Sequence, residues 1–297
     1  MKHHAMNKQF YIAFLSTLLY LFAGLALLYG ELIGYGVALF AILPFAAGYA
    51  QGAARLERQK ILGALSALFL TLLILLIVGW EGIVCILMSL PLVLPSFAVG
   101  ALIRSLLTRK RDGNDKPLQS TLLPLLTFLI AAWIETQVSA PGPEIIPVRS
   151  AVVLPGSTMA VYNAIKSVDA MDAEKPFLLR IDLPVPQKCV LEKESVGGLR
   201  TCYFEGGQIV EKITELEPGK TLRMDVIDYQ LTGRTWLGFK EAIYQFEALD
   251  DKNTKMTRIT TYTSSLHPRF YWEPLERLGI EQEHEFIFRH LKKALSR

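Results

Sequence analysis

Charge is nearly missing from the first 140 residues of this chain. Five stretches, Phe10 to Gly30, Leu32 to Ala54, Ile61 to Trp80, Gly82 to Ile103 and Pro117 to Ile134, hold no Asp, Glu, Lys or Arg. A surface helix of a soluble protein needs a polar face, so runs without one are excluded from that role. Each is close to the roughly 20 residues that cross the about 30 Å hydrocarbon core of a bilayer as a helix. The missing charges also exclude an ion or proton pathway built from buried ionisable side chains. No Gly-rich phosphate loop, nucleophile elbow or spaced set of metal ligands is present, so no cofactor or metal is implied. Cysteine is scarce, with three in 297 residues. That excludes a disulfide-dense scaffold.

Two of the connecting segments lack basic charge. The first and third carry only Glu31 and Glu81, whereas the N-terminal tail has Lys2 and Lys8, the second segment Arg55, Arg58 and Lys60, and the fourth Arg104, Arg109, Lys110, Arg111 and Lys116. Basic residues mark cytoplasmic loops. The expected topology is a plasma-membrane (inner-membrane) protein with a cytoplasmic N-terminus and spans near 10–30, 32–54, 61–80, 82–103 and 117–137. Residues 1–140 then form a transmembrane bundle of about five helices, and residues 141–297 an extracytoplasmic or periplasmic domain. The fifth run contains Pro124 and ends near Glu135; without that crossing the C-terminal half would be cytoplasmic. The first run is too long for a secretory signal core and reads as a retained helix. Gly24, Gly34, Gly36, Gly48, Gly63 and Gly100 favour close helix approach, as suits an anchoring bundle.

The second half is different. Residues 144–297 hold 21 basic and 22 acidic side chains, as a soluble domain would. The near-zero balance points away from nucleic acid. Ala140-Pro141-Gly142-Pro143 ends the last span. A strand from Ile145 to Leu154 is followed by a Ser157-capped helix from Thr158 to Val168 and a short helix or turn over Asp169–Phe177. Six strands follow, at Lys188–Glu192, Leu199–Glu205, Gln208–Leu216, Thr221–Tyr229, Phe239–Leu249 and Lys255–Ser265. The last element is a helix from Tyr271 to Leu295, with Ile280, His284, Ile287, Leu291 and Ala294 as its apolar stripe. This is an α+β order: one long antiparallel sheet and one terminal helix.

Cys189 and Cys202 flank the turn Ser195-Val196-Gly197-Gly198, on neighbouring strands. An extracytoplasmic domain permits a disulfide there, and two reduced thiols are the alternative. Cys85 reads as an inert thiol within an apolar run.

Several phrases resemble the START-like helix-grip superfamily of polyketide cyclases, lipid-transfer domains and plant pathogenesis-related proteins (SRPBCC). They are Val152-Val153-Leu154-Pro155 leading into Met159-Ala160-Val161-Tyr162-Asn163-Ala164-Ile165, the run Glu211 to Gly219 with its acidic-Pro-Gly turn, and Phe270-Tyr271-Trp272 at the start of the last helix. The resemblance spans residues 145–295. It implies a cavity between the curved sheet and the last helix that takes a hydrophobic small molecule or lipid, with no transferable catalytic residue. Trp236, Tyr244, Phe246, Tyr262, Trp272, His284 and Phe288 are the candidate lining.

His284 is the residue most suited to acid–base work, but the reading favoured for it is a structural histidine bonded to a backbone carbonyl. His284-Glu285 lacks the second histidine of a zinc-protease helix, since Phe288 stands there. His267, before Pro268, sits where it could gate a cavity mouth or simply face solvent. Glu205, Glu211, Glu215 and Glu217 read as a solvated sheet face. Three functions fit: a membrane-anchored binder or carrier of a hydrophobic ligand, a non-catalytic envelope scaffold or partner-binding protein, and a cyclase-type enzyme.

Overall fold

The computed structural model describes residues 2–52, 58–109, 117–138, 142–231 and 233–296. Arg55, Lys110, Arg111, Lys116, Ala140 and Pro141 lie outside the described residues. The chain divides into two compact units, one drawn mainly from residues before Pro143 and the other mainly from those after it.

The first unit is helical: α1 (Lys2–Tyr29), α2 (Leu43–Gln51) entered through a π-helical turn at Ala38–Ile42, α3 (Arg58–Ile77), α4 (Ile83–Arg109) and α5 (Pro117–Val138). Three segments, Lys8–Tyr29, Arg58–Ile77 and Ile83–Thr108, are long and apolar enough to cross a membrane; Ala38–Gln51 and Leu122–Val138 are shorter apolar helices. The second apolar run therefore differs from expectation. Its helix starts at Ala38 rather than near Leu32, because Gly30, Gly34 and Gly36 interrupt the run and Glu31 takes a positive φ of 57°. A 14-residue helix rises about 21 Å, short of the about 30 Å core.

Glu135 explains how this late start is tolerated. Its carboxylate accepts the N–H groups of Val37 (2.7 Å) and Ala38 (2.9 Å), donors that have no partner inside the helix they begin. A charge at the end of an apolar helix thus ties α5 to the start of α2. Gly48 and Gly100 let α2 and α4 meet backbone to backbone: a Cβ on Gly48 would overlap the Phe97 carbonyl, and one on Gly100 the Phe45 carbonyl. Tyr20, Leu43, Ala46, Phe128 and Ala132 pack the centre of this unit.

The second unit holds a seven-stranded antiparallel sheet: β1 (Glu144–Pro155), β2 (Pro186–Leu191), β3 (Leu199–Phe204), β4 (Gly207–Glu217), β5 (Thr221–Leu231), β6 (Leu237–Ala248) and β7 (Asn253–Ser264), in the order β1-β7-β6-β5-β4-β3-β2. Consecutive strands are neighbours from β2 to β7, and only β1 crosses over, to pair along its whole length with β7. Register shifts at Val210/Glu211, Ile213/Glu215 and Phe239/Glu241 bend the strands, as bulges do, and the sheet curls.

Helices α6 (Thr158–Lys166) and α7 (Phe177–Ile181) connect β1 to β2, and α8 (Arg269–Leu295) closes the chain. Ser157 caps α6 by accepting the Ala160 N–H. The second short helix lies at Phe177–Ile181 rather than over 169–177, because Pro176 occupies its N-cap, where a proline's missing N–H costs nothing. Strand bounds agree with expectation within about three residues. Residues from the sheet, α6 and α8 share one core, including Leu154, Tyr162, Met224, Met256, Ile287 and Leu291. Of the expected stripe on α8, His284, Ile287 and Leu291 are buried but Ala294 is exposed, while Phe286 and Phe288 broaden the buried face.

Candidate functional site

Alternation along a strand sends every second side chain to one face. On β7 that rule turns Met256, Arg258, Thr260 and Tyr262 inward, and the register sets Arg258 between Ser150 of β1 and Tyr244 of β6. On β3 and β4 it sets Arg200 directly opposite Glu211. The buried face therefore carries a polar layer through an otherwise apolar core, and α8 lies against it with Glu276, Glu283 and His284.

The two arginines are held differently. Each nitrogen of Arg200 has an acceptor: Nη1 donates to Glu211 (2.7 Å), Nε to the Lys166 carbonyl (3.1 Å) and Nη2 to the Ile165 carbonyl (3.0 Å). It closes the C-terminal end of α6 while neutralising a carboxylate. Arg258 Nη1 forms an ion pair with Glu283 at 2.8 Å, and neither Nη1 nor Nε makes a well-directed hydrogen bond. Both guanidiniums sit over the Tyr244 ring, at 5.8 and 5.5 Å from its centroid, a cation–π arrangement. Farther along α8, the buried Glu276 carboxylate accepts from the Tyr262 hydroxyl (2.9 Å) and the Ser264 hydroxyl (2.7 Å).

This overturns the expectation that Glu205, Glu211, Glu215 and Glu217 form a solvated face. Glu205, Glu215 and Glu217 are exposed, but Glu211 is 6 % exposed and faces Arg200. Alternation along β4 puts Glu211 on the buried face with Ile209 and Ile213.

Of the candidate lining residues, all seven are buried, yet they do not form one wall. Tyr244, Phe246 and Phe288 belong to the main core, whereas Tyr262 packs with Ile146 and Val148, and Trp236 and Trp272 belong to neither group. Phe246 meets Tyr162 edge-on at 6.0 Å, and Trp272 meets Tyr271 edge-on at 5.0 Å. Arg200, Glu211, Arg258, Glu276 and Glu283 were not among the sequence candidates. The signal was available: Arg200 shares strand parity with Cys202, and Arg258 with Met256 and Tyr262.

His284 has both ring nitrogens engaged, Nε2 with Thr260 Oγ1 (2.8 Å) and Nδ1 with Ser150 Oγ (2.9 Å). Burial holds its pKa well below the usual 6.5, and the Arg258 charge lowers it further. Burial pushes the Glu283 carboxyl up, and Arg258 offsets part of that rise. His267 Nδ1 lies 3.1 Å from the Ser265 carbonyl, and His290 accepts the Asp172 N–H.

A pH dependence follows from His284 and Glu283, with Arg258 the charge that faces both. Below about 6.5 the unfolded chain protonates this histidine and the folded one does not, so stability falls with falling pH by about 1.4 kcal/mol per unit. Glu283 acts in the opposite sense: its stabilisation is present in acid and is lost as pH rises through its raised folded pKa. The expected result is that His284→Gln flattens the fall in Tm below pH about 6.5, and that Glu283→Gln steepens it. Parallel acid slopes for the wild type and His284→Gln would show that the histidine titrates alike in both states.

On the concave side of the sheet, Ile287, Phe288 and Leu291 of α8 pack against Leu154, Met224, Tyr244 and Met256. The arrangement is a helix-grip fold, a curled antiparallel sheet closed by a long C-terminal helix. No protein-family model matches the chain, and a search of curated proteins finds no match. Solved structures resemble it over the second half. The Zhui aromatase/cyclase from Streptomyces sp. R1128 is 13 % identical, with 52 % of this chain and 95 % of that one covered and a TM-score of 0.37. A START superfamily protein from Mycobacterium smegmatis is 12 % identical, with 52 % and 99 % covered and a TM-score of 0.35. Aha1 from Colwellia psychrerythraea is 16 % identical, with 50 % and 98 % covered and a TM-score of 0.30.

Proposed function

We propose that the helix-grip domain binds, or passes on, a hydrophobic ligand at the extracytoplasmic face of the membrane that holds the N-terminal helices. The polar layer between sheet and α8 carries this reading. A core built for stability alone gains little from buried ion pairs, since apolar side chains of the same size stabilise as well or better. Buried aromatic side chains beside a few fixed polar groups are the composition of a site for an apolar ligand. The Cys189–Cys202 disulfide supports an oxidising compartment, and the basic segments before α3 and after α4 support the matching orientation. Tethering keeps the domain within reach of the lipid from which such a ligand comes.

One observation favours a second reading, a scaffold: all seven aromatic and histidine candidates are buried. Native mass spectrometry of the full-length protein, released from detergent, decides between them. The binder is expected to carry a co-purifying apolar mass or to take one up from a lipid mixture. A protein that emerges bare and takes up nothing from the mixture favours the scaffold.

A further inference from the structure

The outward face of α8 changes character along its length. Phe270, Pro274, Leu278, Glu281 and Glu285 follow one another at helical spacing and are all exposed, on the side away from the buried Trp272 and Glu276. Phe270 is 83 % exposed and Leu278 44 %. A helix on a soluble domain turns a polar face to water. On α8 that holds only from Glu281 onward. Before it, the outward face is apolar over about 12 Å. Glu273 and Arg277 flank this stretch and pair with each other at 2.8 Å, so they leave it without net charge.

The fold places the apolar stretch at one end of the domain. Helix α8 runs back along β7: His284 Nε2 lies 2.8 Å from Thr260 Oγ1, and the Glu276 carboxylate accepts from the hydroxyl of Ser264, the last residue of β7 (2.7 Å). Phe270 stands six residues before Glu276. It therefore projects about 9 Å past the end of the sheet. The chain enters the domain at this same end. Glu144, the first residue of β1, pairs with Ser264, and only five residues separate it from Val138, the last of α5. Fully extended, that link reaches about 20 Å. Lipid is thus within reach of this end in every molecule, whereas a protein partner would have to be found. A membrane interface also has the gradient that this face shows, apolar at its inner edge and aqueous at its outer. Carboxylates are costly in lipid, so Glu281 and Glu285 set the depth at which the helix stops.

We propose that the outward face of the start of α8, Phe270, Pro274 and Leu278, docks in the interface of the bilayer that holds the N-terminal helices, and so seats the domain with this end toward the lipid. The proposal rests on those helices being held in a bilayer and is independent of any ligand.

The test uses the full-length protein in nanodiscs of phosphatidylcholine and phosphatidylglycerol. Cys85→Ala removes the free thiol, and Cys189 and Cys202 are bonded to each other, so a nitroxide label reacts only with an introduced cysteine. Labels go, one at a time, to Phe270→Cys, Leu278→Cys and Glu281→Cys on α8. Leu19→Cys, on the exposed side of α1, is the lipid control, and Asp251→Cys, in the exposed turn at the opposite end of β7, is the water control. Collisions with oxygen report lipid, and collisions with a nickel chelate report water. The expected result is an oxygen preference at Phe270→Cys close to that at Leu19→Cys, smaller at Leu278→Cys and lost at Glu281→Cys and Asp251→Cys. Phe270→Asp is expected to abolish the preference at Leu278→Cys. Since Phe270 lies outside the core, this substitution leaves the fold intact. Nickel access at Phe270→Cys equal to that at Asp251→Cys would overturn the proposal, as would a preference at Leu278→Cys that survives Phe270→Asp. A label at Phe270→Cys shielded from both reagents would overturn it in favour of a protein cover, a partner or a second copy. Nickel access at Leu19→Cys would overturn the membrane reading along with it.

Discussion

Glu211→Gln is expected to destabilise the helix-grip domain by about 3–5 kcal/mol, the cost of stripping one partner from a buried ion pair. That is a large share of the about 5–15 kcal/mol that holds a typical domain together. The substitution keeps the shape and removes the charge, which leaves the Arg200 guanidinium buried with neutral acceptors alone, the Ile165 and Lys166 carbonyls and the new amide oxygen. Removing both charges, with Arg200→Met and Glu211→Leu, is expected to cost less than Glu211→Gln alone. What then remains is the loss of hydrogen bonds to the two carbonyls at the end of α6, each about 1 kcal/mol. Pulse proteolysis of the full-length protein in detergent measures both, read from cleavage within β3 and β4. A loss below about 1 kcal/mol for Glu211→Gln would mean that water reaches the pair and that the layer is not desolvated as the geometry indicates.

Much of this domain is legible in the sequence, for reasons that particular segments show. The strands announce themselves because alternation, Gly-containing turns and β-branched residues agree; Thr221 to Leu231 and Asn253 to Ser264 are examples. The cysteine pair is legible because a short turn separates it. The polar layer is harder to see, because a charged residue on a strand is ordinarily solvated. Glu211 sits among Glu205, Glu215 and Glu217, and only pairing of β3 with β4 reveals that it faces Arg200. Glu283 stands beside His284 on α8, and no local pattern tells that Arg258, 25 positions earlier, lies against it. In the first unit, hydropathy locates the apolar runs but not the start of the helix in the second. That start depends on Glu135, nearly a hundred residues away, reaching the free N–H groups of Val37 and Ala38.

The second large effect is expected from Cys189→Ala with Cys202→Ala. The cysteines face each other in register across β2 and β3, with Cα atoms 4.0 Å apart, and close a loop of 13 residues. On the chain-entropy argument, opening a loop of that size costs about 3 kcal/mol, because the unfolded chain regains its freedom. The location adds to the effect. Val168 exchanges both backbone hydrogen bonds with Cys189, so the bridged hairpin also fastens the exit from α6. Cys202 Sγ lies 3.8 Å from the Glu211 carboxylate, which places the bridge against the buried pair. Alanine is the suitable replacement, since serine would offer that carboxylate a new hydrogen bond. Groups in contact do not add independently. Glu211→Gln introduced together with Cys189→Ala and Cys202→Ala is therefore expected to cost less than it does with the bridge intact, because a loosened hairpin lets water in to Arg200. Pulse proteolysis of the four proteins closes the cycle. Intact mass of the wild type, purified with thiols blocked at lysis, reads the bridge itself: two unblocked cysteines among three mean that it forms in the cell. Blocking of all three would place the domain in a reducing compartment and overturn the proposed orientation.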